Sequence, residues 1–169
     1  MKRVIVDTNV PVVANQRLSP QASLECVATC VRAIRAIQTE YILVIDDAWH
    51  ILREYRNNLR SSGQPGVGDA FLKWVLTNQA NPHRCEQVHI TLSANRQDDN
   101  DFDEFPDDPN LSTFDRSDRK FVAVAIAHPQ KPPILNATDT TDWWTHVNAL
   151  ARYGLQIDFL CPETKGKVS

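Results

Sequence analysis

A chain of 169 residues is long enough to bury a substantial core and is most simply a single domain spanning 1–169. Hydrophobic residues make up 42% and charged residues 23%, ordinary globular usage, and no apolar run approaches the roughly 20 residues that a bilayer span requires. The net charge of −3 excludes a grip on nucleic acid by bulk charge. Asp7 and Asn9 interrupt the first apolar run too early for a signal peptide, so a cytoplasmic protein with no membrane partner is expected.

VIV (4–6) is wholly apolar, as suits a short strand buried on both faces. Ser19 and Pro20 predict a helix start, with serine as N-cap and proline at the first helical position. Leu24, Val27, Val31 and Ile34 give that helix one buried stripe to about residue 38. YILVI (41–45) is the second apolar strand, and Asp46 or Asp47 caps a helix carrying Ala48, Ile51, Leu52, Tyr55 and Leu59. The turn-rich SSGQPGVGD (61–69) ends it, and Asp69 opens a short helix with Leu72, Val75 and Leu76. QVHITL (87–92) alternates as a strand. SDRKFVAVAIAH (117–128) reads as a helix capped by Ser117 and stopped by His128 and Pro129. PILNA (133–137) is a buried strand, Asp139 to Arg152 a helix ending at Gly154, and LQIDFL (155–160) the last strand.

Short apolar strands alternating with amphipathic helices predict an α/β fold, a three-layer α/β/α sandwich around a parallel five-stranded sheet. Right-handed crossovers bring every strand's C-terminal end to one edge, where functional groups of such folds gather.

Between the third strand and the helix at 117 lies DDNDFDEFPDD (98–108), seven acids without a base; the rest of the chain then carries 18 bases against 14 acids. This insert, reaching to about 110, is a solvated loop on the plain reading and a guard or partner of a basic surface on the sharper one. Cys26, Cys30, Cys85 and Cys161 show neither zinc spacing nor the density of a disulfide framework, so buried, reduced thiols are expected. Phe71 and Trp74, apolar residues on a small helix, would suit a homodimer.

The acids fall at telling places. Asp7 follows the first strand; Asp139 follows the fourth, with Asp142 three residues on; Asp118 opens the helix leading into the fourth strand; Glu54 flanks the buried stripe of the helix after the second. Asp118 and Asp139 alone would be explained as caps, and Glu54 as a surface partner of Arg53 or Arg60. Together, acids on one edge repel one another, and a divalent cation relieves the repulsion. Oxygen ligands suit Mg²⁺ or Mn²⁺.

These residues resemble the PIN-domain family of metal-dependent ribonucleases. The resemblance rests on four ordered segments: VIVDTNV, ILREYRNNL, DRSDRKFVAVAIAH and ILNATDTTDWW. It implies a PIN-like fold with Asp7, Glu54, Asp118 and Asp139 as catalytic and metal-holding acids, and Asp142 as an additional acid. Thr8, Asn9, Asn136 and Thr138 would support them by hydrogen bonds. Where the family usually has a hydroxyl residue and glycine before the fourth acid, this chain has Asn136-Ala137-Thr138, and its acidic insert is longer than the usual connection. The implied activity is hydrolysis of RNA phosphodiesters with Mg²⁺ or Mn²⁺. RNA is then the substrate; many members of the family are toxins held by an antitoxin protein, which would be a partner if this chain is of that subgroup, a membership the sequence does not show. Arg116, Arg119 and Lys120 cluster beside Asp118 and are candidates for flanking phosphates. Of Trp143 and Trp144, at most one can stack on a base, and core packing is the plainer role.

Two other classes compete. An aspartate-based phosphotransferase would want a second aspartate where this chain has Asn9. A catalytically silent module of the same fold, binding RNA or protein, would suit the net acidity and the insert.

Overall fold

The computed structural model describes residues 1–15, 22–138 and 142–162. Five parallel strands, β1 (Lys2–Val6), β2 (Tyr41–Asp46), β3 (Cys85–Val88), β4 (Ile134–Asn136) and β5 (Ile157–Phe159), form one sheet in the order β3-β2-β1-β4-β5. The helices are α1 (Asn9–Ala14), α2 (Leu24–Glu40), α3 (His50–Asn58), α4 (Val67–Asn78), α5 (Arg119–Ala127) and α6 (Asp142–Ala151). β1 is central because Val4, Ile5 and Val6 leave nothing for solvent: Val4 pairs with Leu43 of β2, and Ile5 and Val6 pair with Ile134 and Leu135 of β4. From β1 the chain steps outward through β2 to β3, then returns across the sheet to β4 and β5. Right-handed crossovers send helices to opposite faces when the direction of travel reverses. Accordingly α1, α2 and α4 pack on one another, while α5 lies against β1, β2 and α3. The arrangement is consistent with a three-layer α/β/α sandwich.

Several local expectations change. The expected helix start at Ser19-Pro20 lies outside the described residues; the described helix begins at Leu24, with Ser23 Oγ accepting from Cys26 N at 3.1 Å. NVPVVA (9–14), with its valines, carries no helical signature, yet it is α1. Pro11 falls in its first turn, where a missing N–H costs nothing, and Val10, Pro11, Val13 and Ala14 are buried. Tertiary packing overrides propensity here. The third strand begins and ends earlier than 87–92: Cys85–Val88 pairs with Leu43–Asp46, after which the chain leaves the sheet. Of the two candidate caps before α3, Asp46 does the work, accepting from Ala48, His50 and Ile51 N at 2.8–3.0 Å.

The cysteine expectation is corrected for one pair. Cys26 on α2 and Cys161 beyond β5 form a disulfide, their Cα atoms 5.4 Å apart. The bond joins positions 135 apart, which no short spacing could reveal. It fits poorly with a reducing compartment, where disulfides are rare. Cys30 and Cys85 remain buried thiols, and burial pushes Cys85 up to about 12. The dimer argument from Phe71 is corrected too: its ring is fully buried, stacked on Trp74 and edge-on to Tyr55.

The α1–α4 contact depends on a glycine. A Cβ at Gly68 would stand 1.9 Å from Pro11 O and 2.9 Å from Asn15 Oδ1. Gly68→Ala is therefore expected to destabilise the fold by about 1–3 kcal/mol, the range of core overpacking, read by urea unfolding. A variant as stable as the parent would show that these helices do not approach so closely.

Candidate active site

The strand order reverses between β1 and β4, and ligands of open α/β sheets bind at that point, beyond the strands' carboxyl ends. Asp7 stands there. Its N–H still donates to Leu135 O of β4 at 3.0 Å, and the residue is 5% exposed. Three donors fix the carboxylate: Oδ1 accepts from Asn9 N at 3.2 Å, and Oδ2 from Asn136 Nδ2 at 3.1 Å and Trp143 Nε1 at 2.7 Å. Burial pushes Asp7 up to about 6. The Asn9 N–H opposes that rise, the charge of Glu54 adds to it, and Asn136 and Trp143 draw it back.

Glu54 arrives from α3. Its Oε2 accepts from the Thr8 hydroxyl, and its Oε1 from Lys120 Nζ at 3.0 Å. The neighbouring Tyr55 hydroxyl donates to Val6 O at 2.5 Å, pinning α3 to the end of β1. Asp118 stands at the N-cap position of α5 but makes no side-chain cap bond. Asp115 does the local capping instead, accepting from Ser117 N and Oγ, both at 2.9 Å. Burial first, then the charges of Asp7, Asp115, Asp142 and Glu54, hold Asp118 well above the usual carboxylate range. Acids from four distant segments therefore act on one another's charge, with Asp7 and Asp118 the buried members and Glu54 and Asp142 partly open to solvent. Asp142 opens α6, where its Oδ1 accepts from Asp115 N at 3.1 Å and lies 3.4 Å from His146 Nδ1. Asp139 lies outside the described residues, and the half-buried Thr138 immediately precedes it.

Asn9 and Asn136 stitch the two sides of the crevice. Asn9 Oδ1 accepts from Ala137 N at 3.0 Å, and Asn136, fully buried, supplies the amide that Asp7 receives. Asn136 Oδ1 is buried with no hydrogen-bond partner among the described residues.

The donor set suits a hard divalent cation in charge and chemistry. Of Asp7, Glu54, Asp118 and Asp142, Glu54 is paired with the buried ammonium of Lys120, and Asn136 Oδ1, buried beside the Nδ2 that bonds Asp7, is a further oxygen donor with no partner among the described residues. The carboxylates are spread out: among the described residues no three of them each bring an oxygen within 4.8 Å of the others. The one set meeting that distance is Cys26, Cys30 and Cys161, which contains the disulfide and is not a magnesium or manganese site. An open arrangement of acids suits Mg²⁺, which keeps several waters and is held by one or two carboxylates.

The bases beside Asp118 have partners already. Arg116 forks onto Asp98, with Nε and Nη2 at 3.0 and 2.9 Å, and its Nη2 lies 2.7 Å from Asp101. Arg119 Nη1 reaches Asp101 at 3.3 Å, with its guanidinium over the Phe105 ring. The acidic insert thus folds back onto the basic cluster. Lys120 is 6% exposed and turned inward, bonding Glu54 and Ser117 O. Its helical spacing with the buried Ala123 and Val124 was the available signal for that inward turn. Trp143 is a core residue that also orients Asp7, whereas Trp144 is 42% exposed and edge-on to Phe159. No protein-family model, no curated protein and no solved structure matches this chain.

Proposed function

We propose that the chain is a metal-dependent endoribonuclease of PIN-like fold, hydrolysing RNA phosphodiesters with Mg²⁺ or Mn²⁺. The supporting observation is the convergence of Asp7, Glu54, Asp118 and Asp142 on the switch-point edge, where their charges act on one another. Asp7, Glu54 and Asp118, with Asp139 by resemblance, are the residues that would hold the cation. Bound there, it supplies an acidified water and neutralises phosphate charge. The chain's own part is orientation: Trp143, Asn136 and Asn9 fix the Asp7 carboxylate, and Thr8 fixes Glu54. Lys120 tempers the repulsion around Glu54 while leaving the cluster anionic.

The purified chain is expected to cut single-stranded or structured RNA in Mn²⁺ or Mg²⁺ and to stop in EDTA. RNA left intact with every divalent cation would overturn the nuclease and leave the silent module of the same fold. An antitoxin partner belongs to the same reading, tested by whether a neighbouring gene product suppresses cleavage.

A further inference from the structure

The exposed side of α3 is distinct from the carboxylate cluster but abuts it. The helix buries Ile51, Leu52 and Tyr55, so Trp49, Arg53, Arg56 and Asn57 form an outward stripe. Two clefts meet along this stripe. One, about 250 Å³, is lined by Trp49, Arg53, Arg56 and Asn57. The other, about 220 Å³, shares Arg53 and Asn57 and continues to Glu54 and Lys120, with Asp99 and Asn100 of the acidic insert as its far wall. A path therefore runs from an indole, past two guanidinium groups, to one of the candidate metal-holding acids.

Three features mark the stripe as a binding surface. Trp49 is 40% exposed and lies in a cleft lined with Arg53, Arg56 and Asn57. It is held at φ 67°, ψ 21°, a left-handed conformation that costs a bulky residue about 1–2 kcal/mol. Finally, among the described residues neither Arg53 nor Arg56 forms an ion pair, in contrast to Arg116 and Arg119, while Arg56 lies over the Trp49 ring at 5.9 Å. An aromatic ring beside two guanidiniums that are in no ion pair among the described residues is the combination that holds single-stranded nucleic acid, bases on the ring face that Arg56 leaves open and phosphates on the cations. The net-acidic chain makes such a local basic stripe the more selective.

We infer that the α3 stripe Trp49–Arg53–Arg56–Asn57 is the entry track for single-stranded RNA, stacking a base on Trp49 and feeding the strand past Arg53 to Glu54. It rests on the nuclease reading for its direction, but not for its test.

The test is binding of a fluorescein-labelled single-stranded RNA dodecamer by anisotropy in EDTA, where cleavage does not intervene, over a range of KCl concentrations. Arg53→Gln/Arg56→Gln is expected to weaken binding at least 10-fold and flatten the salt dependence by about two phosphates' worth. Trp49→Asn, which tolerates the left-handed backbone, is expected to weaken binding about 5- to 150-fold, the range of one lost stack, with Trp49→Phe restoring most of it. Thermal melts check that these exposed substitutions leave the fold intact. Unchanged affinity and salt slope in the arginine variant would overturn the inference, as would tighter binding of the same-sequence duplex than of the single strand. Unchanged RNA binding together with loss of a co-purifying protein would give the surface to a protein partner instead. RNA bound on this track but never cut in Mn²⁺ would retain the track and overturn the nuclease; cleavage with unaltered binding in both variants would do the reverse.

Discussion

Asp7→Asn is expected to lower metal-dependent RNA cleavage by more than about 100-fold, beyond the 10- to 100-fold typical of a group that merely supports a metal ligand. The substitution keeps the shape of the side chain and removes its charge. Stability should change little, because two effects oppose. Relieving a buried carboxylate next to Glu54 and Asp118 is favourable. Against that, Asp7 receives three N–H donors, and an asparagine amide must turn its own N–H toward one of them, leaving a buried donor unmatched at about 1–3 kcal/mol. Calorimetric titration with Mn²⁺ separates chemistry from folding: the parent should bind and the folded variant should not. Cleavage that survives Asp7→Asn would remove Asp7 from the reaction and with it the switch-point site.

What the sequence could announce was set by local apolarity. VIV and YILVI are too hydrophobic for anything but buried parallel strands, and strand direction alone places Asp7 and the residues after Asn136 on one edge. Features requiring partners far along the chain were harder to read. The Cys26–Cys161 bond depends on where β5 ends relative to α2, and α1 exists because α2 and α4 shelter its valines. The guarding role considered for the acidic run was legible as charge imbalance, but the specific pairing of Asp98 and Asp101 with Arg116 and Arg119 was not. Lys120 shows the remaining difficulty. Adjacent in sequence to Arg119, which faces the insert, it turns inward because one residue along a helix is a rotation of roughly 100°.

The metal-free protein is expected to lose stability as pH rises from about 4 to about 6, contrary to the acid-labile behaviour of most folded chains. Asp7 has its folded pKa raised from 3.8 to about 6, so between those values the native state holds a proton that the unfolded state has released. With fewer protons bound in the unfolded state, the free energy of unfolding falls as pH increases. At 1.36 kcal/mol per unit the full effect of Asp7 is about 3 kcal/mol, absent below pH 3.8 and complete above pH 6. Asp118, raised in the same direction, extends the decline to higher pH. Opposing shifts act lower down: Arg3 depresses Glu86 and Arg116 depresses Asp101, so the stability from those pairs is lost as pH falls below about 4. Both acids lie near the surface, where ion pairs contribute little. Urea unfolding at half-unit pH steps in EDTA should therefore show a maximum near pH 4 and a fall toward neutrality. Mn²⁺ should restore more stability at pH 7 than at pH 5, because protons compete with metal for the same carboxylates, and saturation at 100 times Kd is worth about 2.7 kcal/mol. A metal-free chain that grows steadily more stable from pH 4 to pH 7 would mean that the acids do not share a common enclosure, and the case for a cation there would fall with it.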